Sequence, residues 1–164
     1  MLAPLDHLPQ HGAPQATALE GKFGRFSYEA LEEMTGRLAH WIARQGFPAG
    51  SRIAAWLPKG LAAAVLPLAV ARAGMVYVPA NPLLKRAQIA HILADSGAAM
   101  LVSAPARFAT LEPGDVPEGV VRRDEAEIEA ILLDDAGAKL PSSEAGPDAL
   151  VEILYTSGST GRPK

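Results

Sequence analysis

The stretch Ala149-Leu150-Val151-Glu152-Ile153-Leu154 runs directly into Tyr155-Thr156-Ser157-Gly158-Ser159-Thr160-Gly161-Arg162-Pro163-Lys164. The first six residues form a short, mostly apolar run that reads as a buried strand. The hydroxyl residues Thr156, Ser157, Ser159 and Thr160 follow, interleaved with Gly158 and Gly161 and closed by Lys164. Glycine lets the backbone turn its N–H groups inward with no Cβ in the way, giving a concave donor surface for phosphate oxygens. The hydroxyls add neutral donors and Lys164 adds a full positive charge. Such a loop suits a polyphosphate. A Gly/Ser linker is the plain alternative, although a linker needs neither a hydrophobic strand feeding it nor Pro163 stiffening the chain before the lysine. A Walker A loop is excluded, because that pattern places four residues between its glycines and Lys-Ser/Thr directly after the second. On the residues alone, phosphate binding and tethering both stay open.

Upstream, a strand–helix alternation supplies the scaffold. Ala16–Glu20 and Gly24–Ser27 flank Gly21-Lys22-Phe23 and read as a hairpin. Ser27 can cap a helix whose first turn carries Glu29, favourable at the positive end of the dipole. Leu31, Met34, Leu38, Trp41 and Ile42 then fall on one helical face, and Gly46 suits a left-handed cap. Ser51–Leu57 reads as a strand, Leu61–Ala73 as a helix ending at Gly74, and Met75–Val78 as a strand. Lys85–Ser96 reads as a helix closed by Gly97, and Ala98–Val102 as a further strand. This order predicts an α/β fold with a mainly parallel sheet and helices on its faces. Pro67 is expected to kink the second helix or delay its start. From Ser103 to Pro147 prolines break the pattern, leaving a short helix over Asp124–Leu133. Residues 1–15 carry no periodicity and read as a loose lead-in, so the domain is placed at 16–164.

At 164 residues, 49% of them of apolar type, the chain can bury one core. A net charge of −3 without a basic block argues against nucleic acid or an anionic membrane as partner. With no cysteine, disulfides, thiolate metal sites and thiol nucleophiles drop out. The start shows no secretory signal pattern, and the apolar run Leu61–Ala71 is shorter than the ~20 residues of a membrane span. The expectation is a soluble, cytoplasmic protein.

Other chemistry-bearing residues have duller readings. His7, His11, His40 and His91 lack metal-ligand spacing. Asp124, Glu125, Glu127 and Glu129 read as a solvated helix face. Trp41 and Trp56 read as core, and Asn81 as a turn residue.

The string Tyr155–Lys164 resembles the phosphate-binding motif of the AMP-forming adenylating enzymes, the superfamily of acyl-CoA synthetases, peptide-synthetase adenylation domains and luciferases. Two upstream segments resemble the same family in order and approximate spacing. Arg25-Phe26-Ser27-Tyr28-Glu29-Ala30-Leu31 is similar to its "Thr-Tyr-x-x-Leu" segment. Ala71-Arg72-Ala73-Gly74-Met75-Val76-Tyr77-Val78-Pro79-Ala80-Asn81-Pro82 is similar to "Lys-Ala-Gly-x-x-Tyr-x-Pro". The resemblance covers nearly all of the chain from about Ala16 onward, as the N-terminal portion of the large adenylating domain.

The resemblance implies ATP as substrate, Mg2+ as the accompanying metal, and CoA or a carrier-bound pantetheine as acyl acceptor. Carried over by position, Thr156, Ser157, Gly158, Ser159, Thr160 and Lys164 correspond to the family's ATP-binding residues, with Gly161 and Pro163 shaping the loop. No catalytic residue and no metal ligand falls within this chain. In the family a glycine and most of the enzyme follow this lysine, including the acidic magnesium ligand and a catalytic lysine. The chain therefore reads as an N-terminal fragment without activity of its own, taken from a ligase that activates a carboxylic acid and passes it to a thiol. Asn81-Pro82-Leu83-Leu84-Lys85-Arg86-Ala87-Gln88-Ile89 departs from the "Asp-Pro…Pro-x-x-Arg" pattern of amino-acid-adenylating domains and is closer to acyl-CoA ligases. Two alternatives remain: a fragment of an amino-acid- or aryl-acid-adenylating domain, and a non-catalytic binding or assembly module ending at Lys164.

Overall fold

The computed structural model describes residues 3–146 and 148–156. Two short strands, β1 (Thr17–Gly21) and β2 (Gly24–Ser27), pair as an antiparallel hairpin. β2 leads into α1 (Tyr28–Ala43), where the Ser27 hydroxyl accepts a hydrogen bond from Ala30 N at 3.2 Å and caps the helix as the sequence requires. Leu31, Met34, Leu38 and Ile42 are buried along one face of α1, and Trp41 is half-buried at its margin.

A four-stranded parallel sheet follows, built from β3 (Arg52–Trp56), β4 (Val76–Pro79), β5 (Ala98–Ser103) and β6 (Val121–Asp124) in the order β4-β3-β5-β6. Its connections carry α2 (Leu61–Arg72), α3 (Arg86–Ser96), a single turn α4 (Pro105–Phe108), and α5 (Glu125–Leu133) after β6. Successive side chains of a strand point to opposite faces, and the core divides accordingly. Ile53, Ala55, Tyr77, Met100 and Val102 face one cluster with α1, α2 and α5. Ala54, Trp56, Val78 and Leu101 face a second cluster with α3. Both faces of the sheet are covered, as parallel sheets require.

The helix ends match their glycines. Gly97 takes φ 62° at the α3 cap, where its N–H reaches the Ala94 carbonyl at 3.3 Å. Gly36 serves close approach instead. Leu140 N donates to Gly36 O at 2.9 Å, and a Cβ at this position would lie 3.1 Å from Lys139 Cβ.

Three expectations change. Within the lead-in expected to be loose, Leu5–His11 forms a 3-10 helix with Asp6 and Pro9 buried. The cause is Arg72, whose guanidinium reaches the Asp6 carboxylate at 3.2 Å, the Asp6 carbonyl at 2.8 Å and Glu32 at 2.8 Å. Asp6 also accepts from Ser143 N at 2.9 Å and Ser143 Oγ at 2.6 Å. Pro67 sits in mid-helix and does not delay the start of α2 at Leu61. The run Ala149–Leu154 is not a buried strand: it forms an isolated parallel bridge, Glu152 to Tyr77, with Leu150 61% and Leu154 65% exposed.

Candidate functional site

The candidate site grows from that edge segment. Tyr77 N donates to Val151 O at 2.8 Å, and Ile153 N donates to Tyr77 O at 2.9 Å, so one residue of β4 brackets the segment from both sides. Period-two alternation then sorts the side chains. Val151 and Ile153 are half-buried, whereas Leu150 and Leu154 point into solvent. Ile153 and Tyr155 pack against the α3-side cluster. The Tyr155 hydroxyl donates to Asp95 Oδ2 on α3 at 2.6 Å, and its ring meets His91 edge-on with centroids 6.4 Å apart.

Both tyrosines of this bracket hold their protons tightly. Burial pushes the Tyr77 phenol up to about 12, with the charge of Glu152 adding to the effect. Burial, then the hydrogen bond and charge of Asp95, push the Tyr155 phenol up to about 12. Tyr155 is therefore a donor to Asp95 throughout the neutral range.

Thr156 follows, exposed, at the end of the described chain. Ser157, Gly158, Ser159, Thr160 and Lys164 lie outside the described residues. Of the six positions matched to the ATP-binding motif, the structure thus places Thr156, directly after the Tyr155 contact.

A cavity of about 610 Å³ opens at the carboxyl ends of β3 and β4, lined by Leu57, Lys59, Tyr77, Asn81, Pro82 and Leu83 among others. Parallel α/β sheets place their ligands beyond the carboxyl ends of the strands. Asn81 is a turn residue here, its Oδ1 accepting from Leu83 N at 2.9 Å. Among the described residues no group of three or more His, Cys, Asp or Glu side chains could hold a metal ion. In the acidic run, Asp124 caps α5 by accepting from Ala126 N at 3.0 Å. Glu127 lies 3.9 Å from Arg123, and burial, then the nearby Glu129 and Asp124, raises the Glu125 carboxyl above its usual range. Trp56 is core, with the Arg107 guanidinium 4.8 Å above its ring. No described helix is long and apolar enough to cross a membrane.

Sequence reasoning assigned no role to Asp95, Lys59 or Tyr155. Tyr155 opens the motif and was open to question from that position. Asp95 and Lys59 carry no local signal, since folding alone brings one to the root of the loop and the other to the cavity.

The fold defines a class, the α/β proteins with a parallel sheet covered by helices on both faces. The chain belongs to the AMP-binding enzyme family, whose sequence profile matches residues 9–164. It is 34% identical over 163 residues to the L-proline--[L-prolyl-carrier protein] ligase of Pseudomonas fluorescens, covering 92% of this chain and 31% of that protein. It is likewise 34% identical over 152 residues to a feruloyl-CoA synthase of Amycolatopsis, covering 93% of this chain and 30% of the relative. The ATP-bound structure of MatB from Rhodopseudomonas palustris superposes with a TM-score of 0.83 at 29% identity, over all of this chain and 34% of that one. The chain spans about a third or less of the length of these curated relatives. The relatives are acyl-CoA- and amino-acid-adenylating enzymes, and the fold is that of their N-terminal domain.

Proposed function

We propose that this chain is the N-terminal part of an ATP-dependent, AMP-forming ligase that activates a carboxylic acid and transfers it to a thiol such as CoA. A carboxylate oxygen attacks the α-phosphorus of ATP, the α–β bridging bond breaks, and pyrophosphate leaves with the electron pair. The thiol sulfur then attacks the acyl carbonyl and AMP departs. Thr156, Ser157, Gly158, Ser159, Thr160 and Lys164 hold the β- and γ-phosphates, offsetting the charge that grows on the leaving pyrophosphate. Mg2+ would share that load, held by carboxylates elsewhere in the intact protein.

The observation that supports this reading is that the sequence Tyr155–Lys164 continues a segment hydrogen-bonded to β4 at Val151 and Ile153, in a chain matched to the family over residues 9–164. The departure at Asn81 from the amino-acid-adenylating pattern supports an acyl-CoA ligase. The equally similar prolyl-carrier-protein ligase favours the second reading, an amino-acid-adenylating domain.

The test is ATP–pyrophosphate exchange by the intact protein across a panel of fatty, aryl and amino acids. Lys164→Ala should slow exchange by roughly 10²- to 10³-fold, the effect of losing a donor aimed at developing charge. An unchanged rate would remove Lys164 from the reaction, and no exchange with any acid would remove the adenylation reading.

A further inference from the structure

We propose that the Tyr155–Asp95 hydrogen bond latches the root of the phosphate loop to α3, making both residues positioning residues for bound ATP. The inference rests on the adenylation reading of the loop and adds two side chains to it.

The edge segment has limited means of holding its course. Among the described residues its ladder bonds run to Tyr77, at Val151 and Ile153, and on its outer face Leu150 and Leu154 are exposed and Glu152 is half-buried. Among the described residues Leu154–Thr156 no backbone hydrogen bond to β4 follows, so side chains help to set the direction of the chain into Thr156. Tyr155 supplies that constraint. Its ring packs against the α3-side core, stands edge-on to His91, and ends in a 2.6 Å bond to Asp95 Oδ2. Asp95 in turn sits in the last turn of α3, whose Ser96 hydroxyl bonds back to Ile92 O at 2.6 Å and whose end is closed by Gly97. The acceptor is thus mounted on a capped helix, while the donor lies one residue before the first loop hydroxyl. Charge-assisted hydrogen bonds are the stronger class, and their geometry is directional. A loop that must meet a triphosphate with several weak donors loses affinity when its root wanders, because each donor must then be ordered on binding.

The experiment compares Tyr155→Phe, Asp95→Asn and the double variant of the intact protein by MgATP affinity, exchange kinetics and amide hydrogen exchange. Tyr155→Phe keeps the ring and its packing, so it isolates the hydroxyl. Each single variant should weaken MgATP binding about tenfold and raise KM for ATP with little change in kcat. The double variant should be no worse than either single, as expected for partners in one contact. Amides of residues 154–162 should exchange faster in all three variants, with those of β3 and β5 unchanged. Wild-type affinity in the singles, additive losses in the double, or faster exchange spread over the sheet would each overturn the latch. If the unaltered protein fails to bind MgATP, the adenylation reading falls, and the amide pattern still decides whether Tyr155 and Asp95 hold the segment.

Discussion

Asp6→Ala offers a demanding check on how the N-terminus is held. Both Asp6 and Arg72 have side chains only 1% exposed, at 3.2 Å from each other. Removing one partner of a buried pair typically costs about 3–5 kcal/mol, because the remaining charge stays in a poorly solvating place. Arg72 would keep the Asp6 carbonyl and Glu32, the latter 32% exposed, so the lower part of that range applies. Ser143 N and Oγ would lose their acceptor, adding roughly 1 kcal/mol. The expected total is about 3–4 kcal/mol. At a urea dependence of about 2 kcal/mol/M, the unfolding midpoint should fall by roughly 1.5–2 M, read by circular dichroism. Asp6→Asn, which retains one acceptor oxygen, should fall by less. The control is Arg25→Ala, which removes an ion pair whose side chains are 67% and 62% exposed and should cost below about 0.5 kcal/mol. If Asp6→Ala moves the midpoint no further than Arg25→Ala, the N-terminal 3-10 helix is not held by this network.

Two further outcomes are expected. The Tyr77 phenol is raised from 10.0 to about 12 in the folded chain, so its contribution is complete below about pH 10 and is lost as pH rises through 12. Tyr77→Phe should flatten the alkaline fall in stability above pH 10, and an unaltered slope would show that the phenol is not shielded. Gly97→Ala should cost about 1 kcal/mol, because φ is 62° and no atom lies within 4 Å of the added Cβ, leaving backbone strain as the sole penalty. Gly97→Asn should recover part of that loss, and equal midpoints for the alanine and glycine forms would contradict the assigned cap.

Most of the scaffold was legible because its signals are local. The hairpin, the Ser27 cap, α1, α2, α3 and the strands β3, β4 and β5 are each announced by a short-range pattern. The Leu31-Met34-Leu38-Ile42 stripe and the apolar run at 53–57 need no knowledge of distant residues. β6 was missed because Val121-Arg122-Arg123-Asp124 carries charge where a strand signal needs apolar residues. It lies at the sheet edge, where charged side chains are tolerated and guard against stray pairing. The N-terminal 3-10 helix was missed for a different reason: its stability comes from Arg72 and Ser143, residues 66 and 137 positions away from Asp6.

The loop chemistry belongs to the other category of local information. Glycines, hydroxyls and a lysine in that order are a statement about backbone freedom and donor placement, and the family match spans residues 9–164. By itself, then, the sequence determined the α/β class and the parallel sheet, because periodicity and caps are properties of neighbouring residues. Tertiary structure alone decided that the run before the loop is a half-exposed edge, that Asp95 meets Tyr155, and that Arg72 draws the N-terminus inward. Those contacts depend on which surfaces come together when the sheet closes, and no short window of residues encodes that.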